Sequence, residues 1–180
     1  MCGIAGYIGR KRFKNLKIQN ILSTMKRRGP DSNGFKEIKF EKKNLSLFFS
    51  RLSIIDAKNN KANQPYVFKD STLVFNGEIY NYIEIRKELK KYKYKFKTTS
   101  DIEVLANSWK HWGYKMFEKL NGMFAICIYD KKKNIIMLAR DIAGEKPLYY
   151  SKTGNKFYFA SEAKAIKKVC NNKVIKNRII

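Results

Sequence analysis

A cysteine stands directly after the initiator methionine. Removal of Met1 would place a thiol and a free α-amine on one residue, so that the nucleophile carries its own base. An α-amine with a pKa of about 8, beside a thiol of about 8.5, is neutral often enough near neutral pH to take the thiol proton, directly or through one water. Position alone leaves a second reading open, in which a small residue at position 2 simply permits removal of Met1. Cys127 lies in the apolar run Met123-Phe124-Ala125-Ile126-Cys127-Ile128-Tyr129 and reads as a buried hydrophobe. With Cys170 the count is an odd three, which fits no disulfide framework and no close-spaced metal knuckle, as expected of a reducing compartment. His111 is the only histidine, so a Cys–His dyad would depend on it. Between Trp109 and Trp112 it reads as a partly buried packing residue instead.

The formal charge of +24, from 39 Lys and Arg against 15 Asp and Glu, raises a nucleic-acid or acidic-membrane reading. The cations are 31 Lys and 8 Arg, dispersed along the chain beside 16 Asn and 20 Ile. Phosphate and base recognition tends to use the planar guanidinium of Arg. Compositional bias and a solvated surface fit the pattern better, and nucleic acid is not an expected partner; a basic nucleic-acid binder would show steeply salt-dependent binding. No run approaches the roughly 20 apolar residues of a membrane span. The N-terminus places Gly-broken apolar residues ahead of the basic ones, the reverse of a signal peptide. A soluble, cytoplasmic protein without a membrane partner is expected.

With 180 residues, 44% of them hydrophobic and 14% aromatic, the chain can bury the core of one compact domain. Cys2 to Ile8 reads as a buried strand beginning at the terminus. Ile18, Ile21, Leu22 and Met25 recur at helical spacing, with Arg27 and Arg28 suited to the helix end and Gly29-Pro30 as the stop. Strands are predicted around 35–40, 45–50 and 52–55, and a polar loop over 56–62. Thr72 to Phe75 reads as a strand ended by a turn at Asn76-Gly77, with a helix over 79–89. Ser100 or Asp101 can cap a further helix carrying Ile102, Leu105, Ala106, Trp109 and Trp112 on one stripe, closed by Gly113. Hairpins follow over 123–140 and 147–160, then a short helix over 162–169. Hairpins predominate over crossovers, so the predicted class is α+β: two mainly antiparallel sheets packed together under helices, a four-layer αββα sandwich.

The start Cys2-Gly3-Ile4-Ala5-Gly6 resembles that of the class II glutamine amidotransferases, hydrolases with an N-terminal nucleophile. Four further segments resemble the glutaminase half of asparagine synthetases, in order: Arg51-Leu52-Ser53-Ile54, Asn76-Gly77-Glu78-Ile79-Tyr80-Asn81, Ser100-Asp101-Ile102-Glu103-Val104, and the run from Arg140-Asp141 through Gly144 and Lys146 to Tyr150. Ala160-Ser161-Glu162-Ala163-Lys164-Ala165 agrees as well, and together the matches run from residue 2 to about residue 167.

This resemblance implies hydrolysis of L-glutamine to glutamate and ammonia through a γ-glutamyl thioester on Cys2. Glutamine offers a carboxylate, an ammonium and a neutral amide, so its site needs a cation, an anion and an oxyanion hole. Arg51 would fork onto the carboxylate. The matching family positions assign the ammonium to Asp101 with Glu78 in support, and place Ile54 among the substrate-binding residues. The Asn76 amide and the Gly77 N–H would hold the oxyanion. Singly, Asn76-Gly77 could be a plain turn, Asp101 a helix cap and Arg51 a structural ion pair. Arg140, Asp141, Lys146, Ser161 and Glu162 read as framework and interdomain positions.

No metal site and no cofactor are expected for this step; ATP and Mg would serve only a synthetase domain. The pyrophosphate loop of that domain is absent from the 180 residues. A glutaminase domain over 1–170 is expected, with 171–180 as a tail or the start of a linker. A truncated gene, an excised domain and a separate glutaminase subunit all remain open, as do a homodimer, another ammonia acceptor and a catalytically silent interaction module. The expected partner is an ATP-dependent synthetase domain or subunit that amidates aspartate.

Overall fold

The computed structural model describes residues 1–55, 60–170 and 178–179. Two antiparallel sheets carry the fold. The first has six strands in the order β10-β8-β9-β1-β3-β2, with β1 Gly3–Gly9, β2 Ser32–Phe40, β3 Lys43–Arg51, β8 Tyr149–Thr153, β9 Lys156–Ala160 and β10 Arg178–Ile179. The second has four, in the order β4-β5-β6-β7, with β4 Tyr66–Phe68, β5 Ser71–Ile79, β6 Gly122–Asp130 and β7 Ile135–Arg140. Helices α1 (Asn15–Met25) and α4 (Ala163–Val169) cover the first sheet; α2 (Tyr82–Lys91) and α3 (Asp101–Trp112) cover the second. This is the expected four-layer αββα sandwich.

Alternation along the central strands builds the layers. In β1, Ala5 and Tyr7 pack with Ile21, Leu22 and Met25 of α1. Ile4, on the opposite face, packs with Val74, Ala125, Cys127 and Phe159 between the sheets. In β5, Leu73, Phe75 and Ile79 meet Ile102, Leu105 and Trp109 of α3, while Val74 faces the first sheet. Strands buried on both faces explain why these segments read as continuous apolar runs. Ser100 caps α3 as expected, accepting from the Ile102 N–H at 3.4 Å.

Several boundaries differ from the sequence reading. Residues 52–55 form no strand: β3 ends at Arg51, where the Asp31 N–H donates to the Arg51 carbonyl at 3.0 Å. Asn76-Gly77 is not a turn. Strand β5 runs on to Ile79, paired Asn76 to Ala125, Gly77 to Phe124 and Ile79 to Gly122. The turn follows at Tyr80-Asn81, fastened by the Tyr80 N–H to the Asn121 carbonyl at 2.8 Å. Short β4 and the 3₁₀ turn Gly113–Glu118 carry no periodicity long enough to announce them. Of the loop read over 56–62, residues 60–62 make a single 3₁₀ turn and 56–59 lie outside the described residues. Within the tail read over 171–180, only Arg178–Ile179 is described, as an edge strand beside Tyr149 and Tyr150 of β8. No described helix is long and apolar enough to cross a membrane.

Phe159 fills the layer between the sheets and is 1% exposed, whereas Leu16 of α1 is 77% exposed. Phe159→Ala is expected to lower the unfolding free energy by about 3–5 kcal/mol, and Leu16→Ala by less than about 0.5 kcal/mol. Urea unfolding of both variants would check this.

Candidate active site

Cys2 immediately precedes β1, and the pairing of Gly3 with Ser50 sets it beside the end of β3. Its thiol is clasped by both main-chain groups of Leu52. The Leu52 N–H donates to Sγ at 3.4 Å, and the thiol donates to the Leu52 carbonyl at 3.6 Å. Segment 51–53 is itself pinned by Asp31, which accepts from the Ser53 N–H at 2.6 Å. Arg28 Nε donates to the Cys2 carbonyl at 3.0 Å, and its guanidinium stands 3.7 Å from Glu162. Arg28 reads in sequence as a helix-end cation, but α1 closes at Met25 and the guanidinium turns to the Cys2 main chain.

Cys2, Arg51, Ile54, Asn76, Gly77, Glu78 and Asp101 all line one cleft. All the site residues expected from the sequence therefore come together. Ile54 sits at the rim, 67% exposed. Asn76 and Glu78 share with Val74 the face of β5 that looks toward the first sheet. The Asn76 side chain is fully buried, yet neither its Oδ1 nor its Nδ2 has a hydrogen-bond partner among the described residues. An unpartnered buried amide is costly; here it lies in the wall of a cleft where a ligand can complete it.

Gly77 serves strand pairing. A Cβ there would lie 2.1 Å from the Met123 carbonyl oxygen, and one on the facing Gly122 would lie 2.3 Å from the Glu78 carbonyl oxygen. The two glycines let β5 and β6 approach, which is why Asn-Gly mimics a turn signal here.

Arg51 is buried, with one guanidinium nitrogen donating to Asn63 Oδ1 at 2.7 Å and another to the Ile55 carbonyl at 3.4 Å. Asn63, unremarked in the sequence, thus orients the cation, while Gln64 braces β5 by accepting from the Phe75 N–H at 2.6 Å. Both follow the polar loop read over 56–62, in a stretch that carries no sequence signal of its own. Asp101 begins α3 and is buried, with two long contacts at 3.4 Å, from the Ile79 N–H and the Ser100 hydroxyl. Burial pushes its carboxyl up to about 6, against the pull of those hydrogen bonds. Glu103, two residues on, is occupied structurally, accepting from the Lys97 and Thr98 N–H groups and the Thr98 hydroxyl.

Burial also raises the Cys2 thiol, aided by Asp101 and opposed by the Leu52 N–H, the terminal amine and Arg51. The terminal amine of Met1 is lowered, by burial first and then by Arg28 and Lys146, against Cys2 and Asp31. A raised thiol beside a lowered amine favours the neutral pair over thiolate and ammonium. His111 lies outside this cleft, packed on the rings of Tyr92, Tyr94 and Trp112. Cys127 is fully buried, its thiol pushed up by burial.

The chain belongs to the glutamine amidotransferase domain family, whose model matches residues 1–179. Within that class it is homologous to part of the glutamine-hydrolysing asparagine synthetases. It is 40% identical over 173 residues to asparagine synthetase (glutamine-hydrolyzing) 1 of Bacillus subtilis (strain 168), covering 92% of this chain and 26% of that protein. Identity to asparagine synthetase B (glutamine-hydrolyzing) of Escherichia coli (strain K12) is 37% over 180 residues, covering 94% of this chain and 30% of that one. The fold matches glutamine phosphoribosylpyrophosphate amidotransferase from B. subtilis with a TM-score of 0.79 at 21% identity, over 99% of this chain and 45% of that chain. The chain spans about a quarter to a third of the length of the curated synthetases it matches.

Gly77→Ala forces a methyl group into the β6 backbone, so it is expected to cost about 1–3 kcal/mol. In urea unfolding the midpoint should fall with the slope unchanged.

Proposed function

We propose that this domain hydrolyses L-glutamine to glutamate and ammonia through Cys2, and that the ammonia serves an ATP-dependent synthetase domain or subunit amidating aspartate. One observation carries the reading: the thiol of Cys2 shares a cleft with a buried amide, Asn76, that has no partner among the described residues, and with the buried charged groups Arg51, Lys146 and Asp101. A ligand carrying a carboxylate, an ammonium and a carboxamide complements that set.

After Met1 is removed, the α-amine of Cys2 takes the thiol proton as sulfur bonds to the side-chain carbonyl carbon of glutamine. The carbonyl oxygen becomes an oxyanion, met by the Asn76 amide and the Gly77 N–H. As the tetrahedral intermediate collapses, the carbon–nitrogen bond breaks and the amine hands its proton to the departing nitrogen, releasing ammonia. Water then attacks the thioester, one of its protons passing through the amine back to sulfur, and glutamate leaves. Arg51 forks onto the substrate carboxylate, Asp101 with Glu78 takes the ammonium, and Ile54 closes the rim. The step needs no metal or cofactor; ATP and Mg belong to the synthetase reaction. Asparagine synthesis is the whole-protein role that the relatives' names support, and the cytoplasm is the compartment that fits a family using free thiol chemistry.

Ammonia release from L-glutamine by the Met-processed chain, compared with Cys2→Ala, tests the reading. Release that vanishes in the variant is expected; equal release from both would overturn it. Asn76→Ala should lower kcat by about 10²–10³. Substrate binding requires ionised Asp101, so KM should rise about tenfold per unit as pH falls below about 6. Asp101→Asn should raise KM and abolish that dependence.

A further inference from the structure

The connection between β7 and β8 sends a lysine into the cleft. Lys146 is 5% exposed and lines the cavity with Cys2, Asn76 and Asp101. Its main chain is clamped. The Lys146 and Glu145 N–H groups donate to the Asp141 carboxylate at 3.1 and 2.8 Å, and Asp141 in turn accepts from the Phe124 N–H of β6 at 3.1 Å. Arg140 donates to the Lys146 carbonyl at 2.7 Å and to the Gly144 carbonyl. Two charged residues outside the cleft thus fix the loop that presents this one side chain. No carboxylate pairs with Lys146 among the described residues. Its Nζ meets the Met1 thioether at 3.0 Å, a weak acceptor that leaves with Met1. A buried ammonium without a counter-charge is costly, and such a cost concentrates where the charge acts on chemistry.

We propose that Lys146 is a positioning residue for the nucleophile: once Met1 is gone, its ammonium faces the α-amine of Cys2 and keeps that amine in the unprotonated form that accepts the thiol proton. The proposal rests on the glutaminase reading above. Two cations sharing a confined site resist double ionisation. The other charged groups facing the terminus are Arg28 from the α1–β2 connection, Asp31 and the Cys2 thiol, while Asp101 and Arg51 face the thiol across the cleft. Arg28 is already engaged by the Cys2 carbonyl and Glu162, which blunts its field. Lys146 has no such partner among the described residues. The direction agrees with the lowered terminal amine of the unprocessed chain, to which Lys146 contributes after burial and Arg28. Removing this charge should let the amine hold its proton to higher pH.

The test uses the full chain with Met1 loss verified by intact mass, in wild-type, Lys146→Met, Lys146→Gln and Lys146→Arg forms. The clamp acts through main-chain groups of residues 144–146, so these side-chain changes leave it in place. In Lys146→Met and Lys146→Gln the acid limb of kcat for ammonia release should move up by about one pH unit, with kcat near neutrality about tenfold lower and recovery at higher pH. KM should change less than about twofold, and Lys146→Arg should bring the limb back toward wild type. An unmoved limb, or a raised KM with an unmoved limb as expected of a carboxylate ligand, overturns the proposal. Acetic anhydride labelling of the N-terminal α-amine as a function of pH, in a Cys2→Ala background, reads the same coupling without turnover and without thiol titration. Its midpoint should rise when Lys146→Met is added, and an unchanged midpoint overturns the proposal even if wild type releases no ammonia, an outcome that by itself overturns the glutaminase reading.

Discussion

The antiparallel register of β1 against β3 is the constraint on which the site depends. Gly3 opposite Ser50 places Cys2 at the level of Arg51 and brings its sulfur onto the Leu52 peptide groups. Side chains on a strand alternate between faces, so a slip of one residue would send position 2 toward α1 and out of the cleft. The same parity governs β5, where Val74 faces the layer between the sheets and Asn76 and Glu78 follow it. A side chain beside a chain terminus is ordinarily among the most mobile groups of a protein. Here the terminus runs directly into a strand paired on both sides, by β3 and β9, and gains its fixed position from those neighbours.

Around this register the cleft gathers buried polar groups. Arg51 is held by Asn63 and the Ile55 carbonyl, Asp101 accepts long contacts from the Ile79 N–H and the Ser100 hydroxyl, and the Asn76 amide has no partner among the described residues. Burying such groups carries an energetic cost that the packed layers offset. The loop bearing Lys146 follows the same logic, since Asp141 and Arg140 spend their own hydrogen bonds on its main chain. The backbone N–H groups hold Asp141 below the ordinary carboxylate range despite burial, which pushes it up. That segment is legible in sequence as framework, and its main chain is held as such, with a side chain that also reaches the Cys2 end of the cleft.

Legibility followed the length and purity of the local signal. The stripe on α1, the cap and stripe of α3 and the hairpin of β6 and β7 were all readable, because each is an apolar period bounded by a turn or capping residue. Asn76-Gly77 misled, since glycine serves two purposes: it permits turns, and it permits close approach of paired strands. Only the position of Met123 and Glu78 across the β5–β6 pair tells which one operates. Segment 52–55 looked like a strand from its apolar residues, yet it leaves the sheet to wrap the thiol.

The sequence by itself determined the four-layer class, the buried stripes and the residue types of the site, because periodicity and composition are local properties written into neighbouring positions. It also determined that Cys2 could bear both nucleophile and base, a matter of covalent structure alone. Tertiary structure decided what no local signal encodes. It brought residues 2, 51, 76 and 101 to one cleft, gave the thiol to the Leu52 backbone, turned Arg28 from a helix end to the Cys2 carbonyl, and aimed Lys146 inward. These contacts join positions separated by up to 145 residues. Their geometry follows from sheet register and layer packing, which are set by the whole chain at once.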